Sequence, residues 1–92
     1  MEYEQYIKMG LEGEAPLKLI LCGNVEASEE GNTGVVAVVY ASTDKIQTEK
    51  VLRELIKNNP DNYYMVYSVP YDTDLTVTEH YPSIEISKAD LE

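Results

Sequence analysis

The chain has 92 residues, of which 17 are acidic and 7 are Lys or Arg, so its formal net charge is −10 at pH 7. Because like charges repel, this excess of acid disfavours direct binding to nucleic-acid backbones and to anionic membranes. The length supports one small domain covering residues 1–92, and a hydrophobic content of 43% is enough for a folded core.

Targeting signals and redox usage favour a cytoplasmic protein. The sequence has no apolar run of bilayer length, and its N-terminal segment is acidic where a signal peptide would be basic. The single cysteine, Cys22, cannot form an internal disulfide. The final pair, Leu91–Glu92, resembles the residues that an added C-terminal tag leaves behind, so the natural end is expected at Asp90.

The first third of the chain predicts a helix, a strand and a loop. Apolar side chains at a spacing of three and four predict a short amphipathic helix within residues 1–11. In the strand predicted at Leu17–Cys22, the leucines share one face, while Lys18, Ile20 and Cys22 share the other. The segment Asn24–Gly34 is rich in turn formers and acids, so it predicts a hairpin loop.

The strongest pattern is a strand, a helix and a strand in succession. Val35–Ala41 is apolar at every position, which is typical of a strand covered on both faces and therefore central. The helix, over residues 43–58 with Ser42 or Thr43 as N-cap, is long enough to return the chain to the start of that strand. Asn62–Val69 is therefore expected to be its parallel neighbour.

The last third predicts a turn at Tyr71–Asp74, a short strand at Leu75–Thr78 and an edge strand around Ile84–Ile86. The predicted fold is α+β, with a mixed four- or five-stranded sheet and one main helix on one face. Its order is helix, strand, strand, helix, strand, an optional strand, and strand. One helix cannot cover both faces, so the N-terminal segment, helped by a second copy of the chain, is expected to cover the other.

The sequence offers no catalytic set. Cys22 and His80 are the only thiol and the only imidazole, and nothing in the spacing brings them together. Asp72 and Asp74, with Glu79 nearby, lack the spacing of a calcium loop and are better explained as turn residues. The sequence therefore favours a non-enzymatic protein and predicts no cofactor and no metal.

The turn that leads into the main helix is the candidate ligand site. Ser42 and Thr43 would supply hydroxyl groups and Lys45 a positive charge, beside free N–H groups at a helix N-terminus, which can hold an anion. The turn lacks the glycines that allow close approach of a phosphate, and Asp44 would repel one. Ordinary capping is the competing interpretation.

The tyrosines indicate a candidate interaction surface, because tyrosine is enriched at interfaces. The chain has eight tyrosines, no Phe and no Trp. Four of them cluster near the second core strand: Tyr63, Tyr64, Tyr67 and Tyr71. A basic stripe on the main helix, opposite its apolar stripe, completes the candidate surface: Lys50, Arg53 and Lys57. Tyrosines half-buried along a sheet are the competing interpretation.

Three functional hypotheses follow from these features. The first is a protein-interaction or regulatory module that binds a protein partner or itself, as a homodimer. The second is a small-ligand domain for an anion or a nucleotide, or a minor enzyme domain, at the turn before the main helix. The third is an acidic decoy that occupies a nucleic-acid-binding protein, because Asp and Glu can present phosphate-like charge.

Overall fold

The computed structural model describes residues 2–78 and 82–91. Its main elements are α1 (Tyr3–Glu12), β1 (Leu17–Ser28), β2 (Gly31–Ser42), α2 (Lys45–Asn58) and β3 (Tyr63–Val69). A short 3-10 helix at Leu75–Val77 and a four-residue helix, α3 (Lys88–Leu91), follow. In this part of the chain the strands form one antiparallel sheet of order β2-β1-β3. The predicted α+β class is confirmed, but the sheet has three strands where four or five were expected.

The roles predicted for the first two strands are exchanged. β1 is central, because it pairs with β2 on one side and with β3 on the other. β2, which contains the run Val35–Ala41 predicted to be central, is an edge strand with a largely exposed surface. The prediction was wrong because an apolar run records a preference for strand structure and burial but not the number of neighbouring strands.

The parallel pairing predicted for the second and third strands was also wrong. β2 and β3 do run in the same direction, since both are antiparallel to β1, but β1 lies between them. Helix α2 packs against all three strands and carries the chain across the central strand. A helix of this length reaches the far side of a neighbouring strand as readily as the near side, so the sequence did not decide between the two arrangements.

The first two strands form a longer hairpin than the turn-rich segment Asn24–Gly34 predicted. β1 continues to Ser28, and β2 begins at Gly31. Gly31 has a φ of +120°, a conformation that favours glycine. The Ser28 hydroxyl donates a hydrogen bond to the Gly31 carbonyl oxygen at 2.8 Å. The reversal therefore needs only the two glutamates between these residues, which leaves the other polar residues inside the strands.

The core lies on one face of the sheet. Ile7 and Leu11 of α1 and Leu52 of α2 pack with Ile20 of β1 and Val66 of β3. Both longer helices therefore cover the same face. The N-terminal segment was expected to cover the opposite face, and this expectation was wrong. The apolar residues of α1, Ile7 and Leu11, pack into the same core as Leu52 of α2.

The opposite face is partly covered by residues 82–87, which extend across the sheet without forming a strand. Ile84 packs so closely on Gly23 that a Cβ there would lie 2.9 Å from its Cγ2 atom. Ile86 packs on Gly34 in the same way, at 2.8 Å. The predicted edge strand is thus a covering segment, and these two glycines provide the space that it needs.

The other predicted strand of the last third, Leu75–Thr78, is replaced by the 3-10 helix. Asp74 caps this helix, since its Oδ1 atom accepts a hydrogen bond from the Thr76 amide at 3.0 Å. The local carboxylate-to-backbone bond outweighs the β preference of the threonines and the valine.

Candidate functional site

The two edges of the sheet differ in what covers them. At one edge, α1 lies directly against the backbone of β3. The Tyr3 hydroxyl donates a hydrogen bond to the Tyr64 carbonyl, and the Ser68 hydroxyl donates one to the Gly10 carbonyl. A Cβ on Gly10 would lie 2.7 Å from the carbonyl carbon of Val66. A helix in such contact hinders another strand from pairing with β3, which is one way in which proteins protect sheet edges.

At the other edge, β2 is open. It is 12 residues long, and within the described ranges its ladder is made with β1 alone. The sequence from Gly31 to Thr43 contains no charged residue and no proline. Natural edge strands are usually short or carry charges or proline, which prevent pairing with another chain. The outer side of β2, here called the open edge, therefore lacks the charges and the proline that usually protect an edge strand.

The open edge is apolar as well as uncharged. Val38 is 58% exposed, and Val36 and Val39 are each 45% exposed. Val36 and Val38 lie on the face opposite to the helices, since their partners on β1 are Gly23 and Leu21. The covering segment packs on β2 at Gly34, and the Asn32 side-chain amide donates a hydrogen bond to the Leu91 carbonyl oxygen of α3. An exposed valine cluster thus adjoins the unpaired backbone of β2.

A β-bulge interrupts the open edge near its C-terminal end. Ile20 pairs with Tyr40 and Leu21 pairs with Val38, which leaves Val39 as the extra residue on β2. A bulge bends the strand and increases its twist. The regular part of β2 therefore runs from Gly31 to Val38.

The structure divides the predicted tyrosine cluster between the two faces of the sheet. Tyr64 is buried in the core between the helices and the sheet, whereas Tyr63 and Tyr67 lie on the opposite face, in register with Gly23 and Leu19. Tyr71 follows β3 and is exposed. The alternation of side chains along β3 therefore separates Tyr64 from Tyr63 and Tyr67.

The predicted basic stripe is exposed on α2, and its central residue binds α1. Arg53 donates two hydrogen bonds to the Glu4 carboxylate, at 2.8 and 2.9 Å, and lies 3.5 Å from Glu49. The bonds from Arg53 lower the pKa of Glu4 below its usual value. Arg53 thus links the two helices, while Lys50 and Lys57 remain exposed.

The candidate anion site has a carboxylate at its centre. The N-cap of α2 is Asp44, not the predicted Ser42 or Thr43, and its Oδ1 atom accepts a hydrogen bond from the Gln47 amide at 2.9 Å. The Ser42 hydroxyl accepts one from the Asp44 amide, at 3.0 Å. The Lys45 ammonium lies 4.0 Å from Glu12. A bound anion would therefore meet the charge of Asp44 at the helix N-terminus.

A cleft that the sequence did not predict lies on the face opposite to the helices. It has a volume of about 620 Å³, and it lies between β1, β3 and the covering segment. Side chains of Tyr63, Met65, Tyr67 and Ile84 contribute apolar surface, and three acids contribute negative charge: Asp61, Glu85 and Asp90. Hydrogen bonds from the backbone and hydroxyl of Ser87 lower the pKa of Asp90, so it stays ionised. The cleft suits an organic cation better than an anion.

The remaining features considered from the sequence are metal ligands, membrane-spanning helices and the single cysteine. Residues 2–78 and 82–91 contain no group of three or more His, Cys, Asp and Glu placed to hold a metal, and none of their helices is long and apolar enough to cross a membrane. Cys22 is buried in β1 on the helix side of the sheet. The predictions that involve Glu79 and His80 fall outside the described residues. Comparison of the chain with protein-family models, with curated proteins and with solved structures finds no match.

Proposed function

We propose that this chain is a protein-interaction module that binds its partner by adding a strand to the open edge of β2. The observation that carries the proposal is the contrast between the two edges. α1 lies against the backbone of β3, whereas β2 is long, apolar and free of charge. A free edge of that kind favours aggregation unless it has a partner.

Strand addition uses the two features that the open edge combines. The unpaired N–H and C=O groups of an edge strand bind the backbone of the incoming strand, and alternate side chains provide specificity. On the face of β2 opposite to the helices, the exposed valines next to that backbone are Val36 and Val38. A partner strand with β-branched residues at matching positions would gain cross-strand contacts with both valines.

A peptide with the sequence of Gly31–Ser42 tests whether the open edge accepts a strand. Amide hydrogen exchange of the full chain, followed by NMR, should slow in β2 when the peptide is added and should stay unchanged in β3. The matched control is the same peptide with Val36→Glu and Val38→Glu, which places charge in the ladder and should give no protection. Unchanged exchange in β2 with the unmodified peptide would refute strand addition.

A second candidate function is small-molecule binding in the cleft between β3 and the covering segment. The observation that favours it is the combination of Tyr63 and Tyr67 with three carboxylates. A thermal-shift comparison of organic ammonium ions with phosphates tests it, since a ligand at a hundred times its Kd stabilises by about 2.7 kcal/mol. Stabilisation by the cations alone supports this site; stabilisation by phosphates alone supports the turn at Ser42–Lys45 instead.

A further inference from the structure

We propose that the occupant of the open edge is a second copy of this chain, which pairs antiparallel with β2 across a two-fold axis at Ala37. This inference rests on the proposed function and names its partner. The two sheets would join into one of six strands, with the order β3-β1-β2 in one copy followed by β2-β1-β3 in the other.

The sequence of the open edge is complementary to itself. A two-fold contact brings the same patch of both copies together, so that patch must fit its own image. The run Val35–Val39, VVAVV, reads the same in both directions about Ala37. Antiparallel pairing about Ala37 therefore places Val36 opposite the partner's Val38.

The same pairing covers the exposed valine cluster. Val36 and Val38 lie on one face of the sheet, and residues directly opposite in an antiparallel pair share a face. Two valines from each copy would thus form one continuous group of four across the axis. Each is about half exposed in the single chain, so the contact removes apolar surface that the covering segment leaves uncovered.

The absence of charge favours this edge for self-association. Two chains of charge −10 repel each other, and the repulsion is smallest where both are uncharged. Gly31 to Thr43 is such a stretch. Along the strand the first acidic residues are Glu30 and the partner's Asp44, and in the proposed register they lie at the two ends of the ladder, far from the axis.

The bulge at Val39 limits the possible registers. Regular pairing extends through Val38, so residues 36–38 around the axis belong to the regular part of β2. Beyond Val38 the strand bends, so a ladder shifted toward Tyr40 would place that bend at its centre. Bulges in this way help to fix the register of a strand pair.

Sedimentation velocity of the full chain tests the association. Between about 1 µM and 200 µM we expect a monomer–dimer equilibrium that becomes tighter when NaCl is raised from about 20 mM to 0.5 M, because salt screens the repulsion. Val38→Glu should weaken dimerisation at least about tenfold by placing a charge in the ladder. Val38→Thr keeps the β-branched shape without charge and should stay within about threefold of the wild type.

Disulfide cross-linking tests the axis. Ala37→Cys should give a covalent dimer under mild oxidation, because opposed residues of an antiparallel pair lie within the span of a disulfide. The background variant is Cys22→Ala, since Cys22 lies opposite Ala37 on β1 and would compete. Ala27→Cys, near the hairpin turn, is the matched control and should remain monomeric.

The outcomes separate this inference from the proposed function. A chain that stays monomeric over the whole concentration range refutes self-pairing, as does a dimer that Val38→Glu leaves unchanged. Stronger cross-linking at Ala27→Cys than at Ala37→Cys refutes the register. A monomer whose β2 amides are nevertheless protected by the strand peptide keeps the proposed function, with a partner other than a second copy.

Discussion

Replacing Gly10 by alanine should destabilise the protein, although it lies inside a helix. Alanine normally stabilises a helix interior relative to glycine by about 1 kcal/mol. Here the added Cβ would lie 2.7 Å from the Val66 carbonyl carbon and 3.2 Å from the Val66 Cβ atom. Carbon atoms in favourable contact are about 3.5–4.0 Å apart, so α1 must retreat from β3 by about 1 Å.

The cost follows from what else α1 holds against the sheet. A gap of about 1 Å loses up to about half of the dispersion energy of a contact. Ile7 and Leu11 are almost fully buried, and each contributes about 1.5–3 kcal/mol by burial, so together they lose about 1–3 kcal/mol. The hydrogen bond from Ser68 to the Gly10 carbonyl adds about 1 kcal/mol. The better helix propensity of alanine offsets about 1 kcal/mol of this loss. The free energy of unfolding should therefore fall by about 2 kcal/mol.

Urea unfolding followed by far-UV circular dichroism measures this change. A loss of about 2 kcal/mol lowers the midpoint by about 1–2 M urea and the Tm by about 8–16 °C. Met9→Ala, at an exposed neighbouring position of α1, is the control and should stay within about 0.5 kcal/mol of the wild type. If Gly10→Ala is as stable as the wild type or more so, α1 does not rest on the backbone of β3 as described.

Three further changes test other parts of the structure. Leu52→Ala, at a fully buried position of α2, should lower the free energy of unfolding by about 2–5 kcal/mol in the same urea assay, and a loss below 1 kcal/mol would contradict its place in the core. Lys18→Met should lower the free energy of unfolding by about 2–4 kcal/mol, because the buried Lys18 ammonium group donates hydrogen bonds to three neutral acceptors, which would lose their donor. If the variant is as stable as the wild type, these hydrogen bonds make no net contribution to stability. The Glu4–Arg53 ion pair should add to the free energy of unfolding at pH values above 4.5, the ordinary pKa of Glu4. This stabilisation should be lost as the pH falls through the lower pKa that Glu4 has in the folded state. Glu4→Gln should therefore reduce the Tm at pH 7 and have less effect at pH 3, whereas an equal effect at both would contradict the ion pair.

Side-chain periodicity predicted which residues share a face. The alternation predicted in Leu17–Cys22 is confirmed, since Ile20 and Cys22 share one face of β1, but the pattern did not show that this face carries the core. The stripe on α2 likewise includes the fully buried Leu52. Such patterns are reliable because side-chain direction is fixed by the local backbone of a helix or strand.

Strand order was not predictable in the same way, because it depends on pairing between distant segments. An apolar strand such as Val35–Ala41 is buried either by its own chain or by another, and the residues alone do not distinguish the two. The open edge was therefore interpreted as the sheet centre. The covering role of residues 82–87 was missed for a related reason, since an alternating apolar pattern also fits an extended segment that rests on a sheet without pairing.

The Gly10 contact has a consequence for the size of the proposed assembly. Under the proposed pairing, each chain has one sheet edge that can pair with another chain. Two copies use both of these edges, so the assembly stops at a dimer. If α1 detached from β3, the chain would have two unpaired edges, one at β2 and one at β3. Chains that pair through both edges would extend into a filament. Under the proposed pairing, the absence of a side chain at Gly10, which lets α1 lie against β3, therefore limits the assembly to two chains.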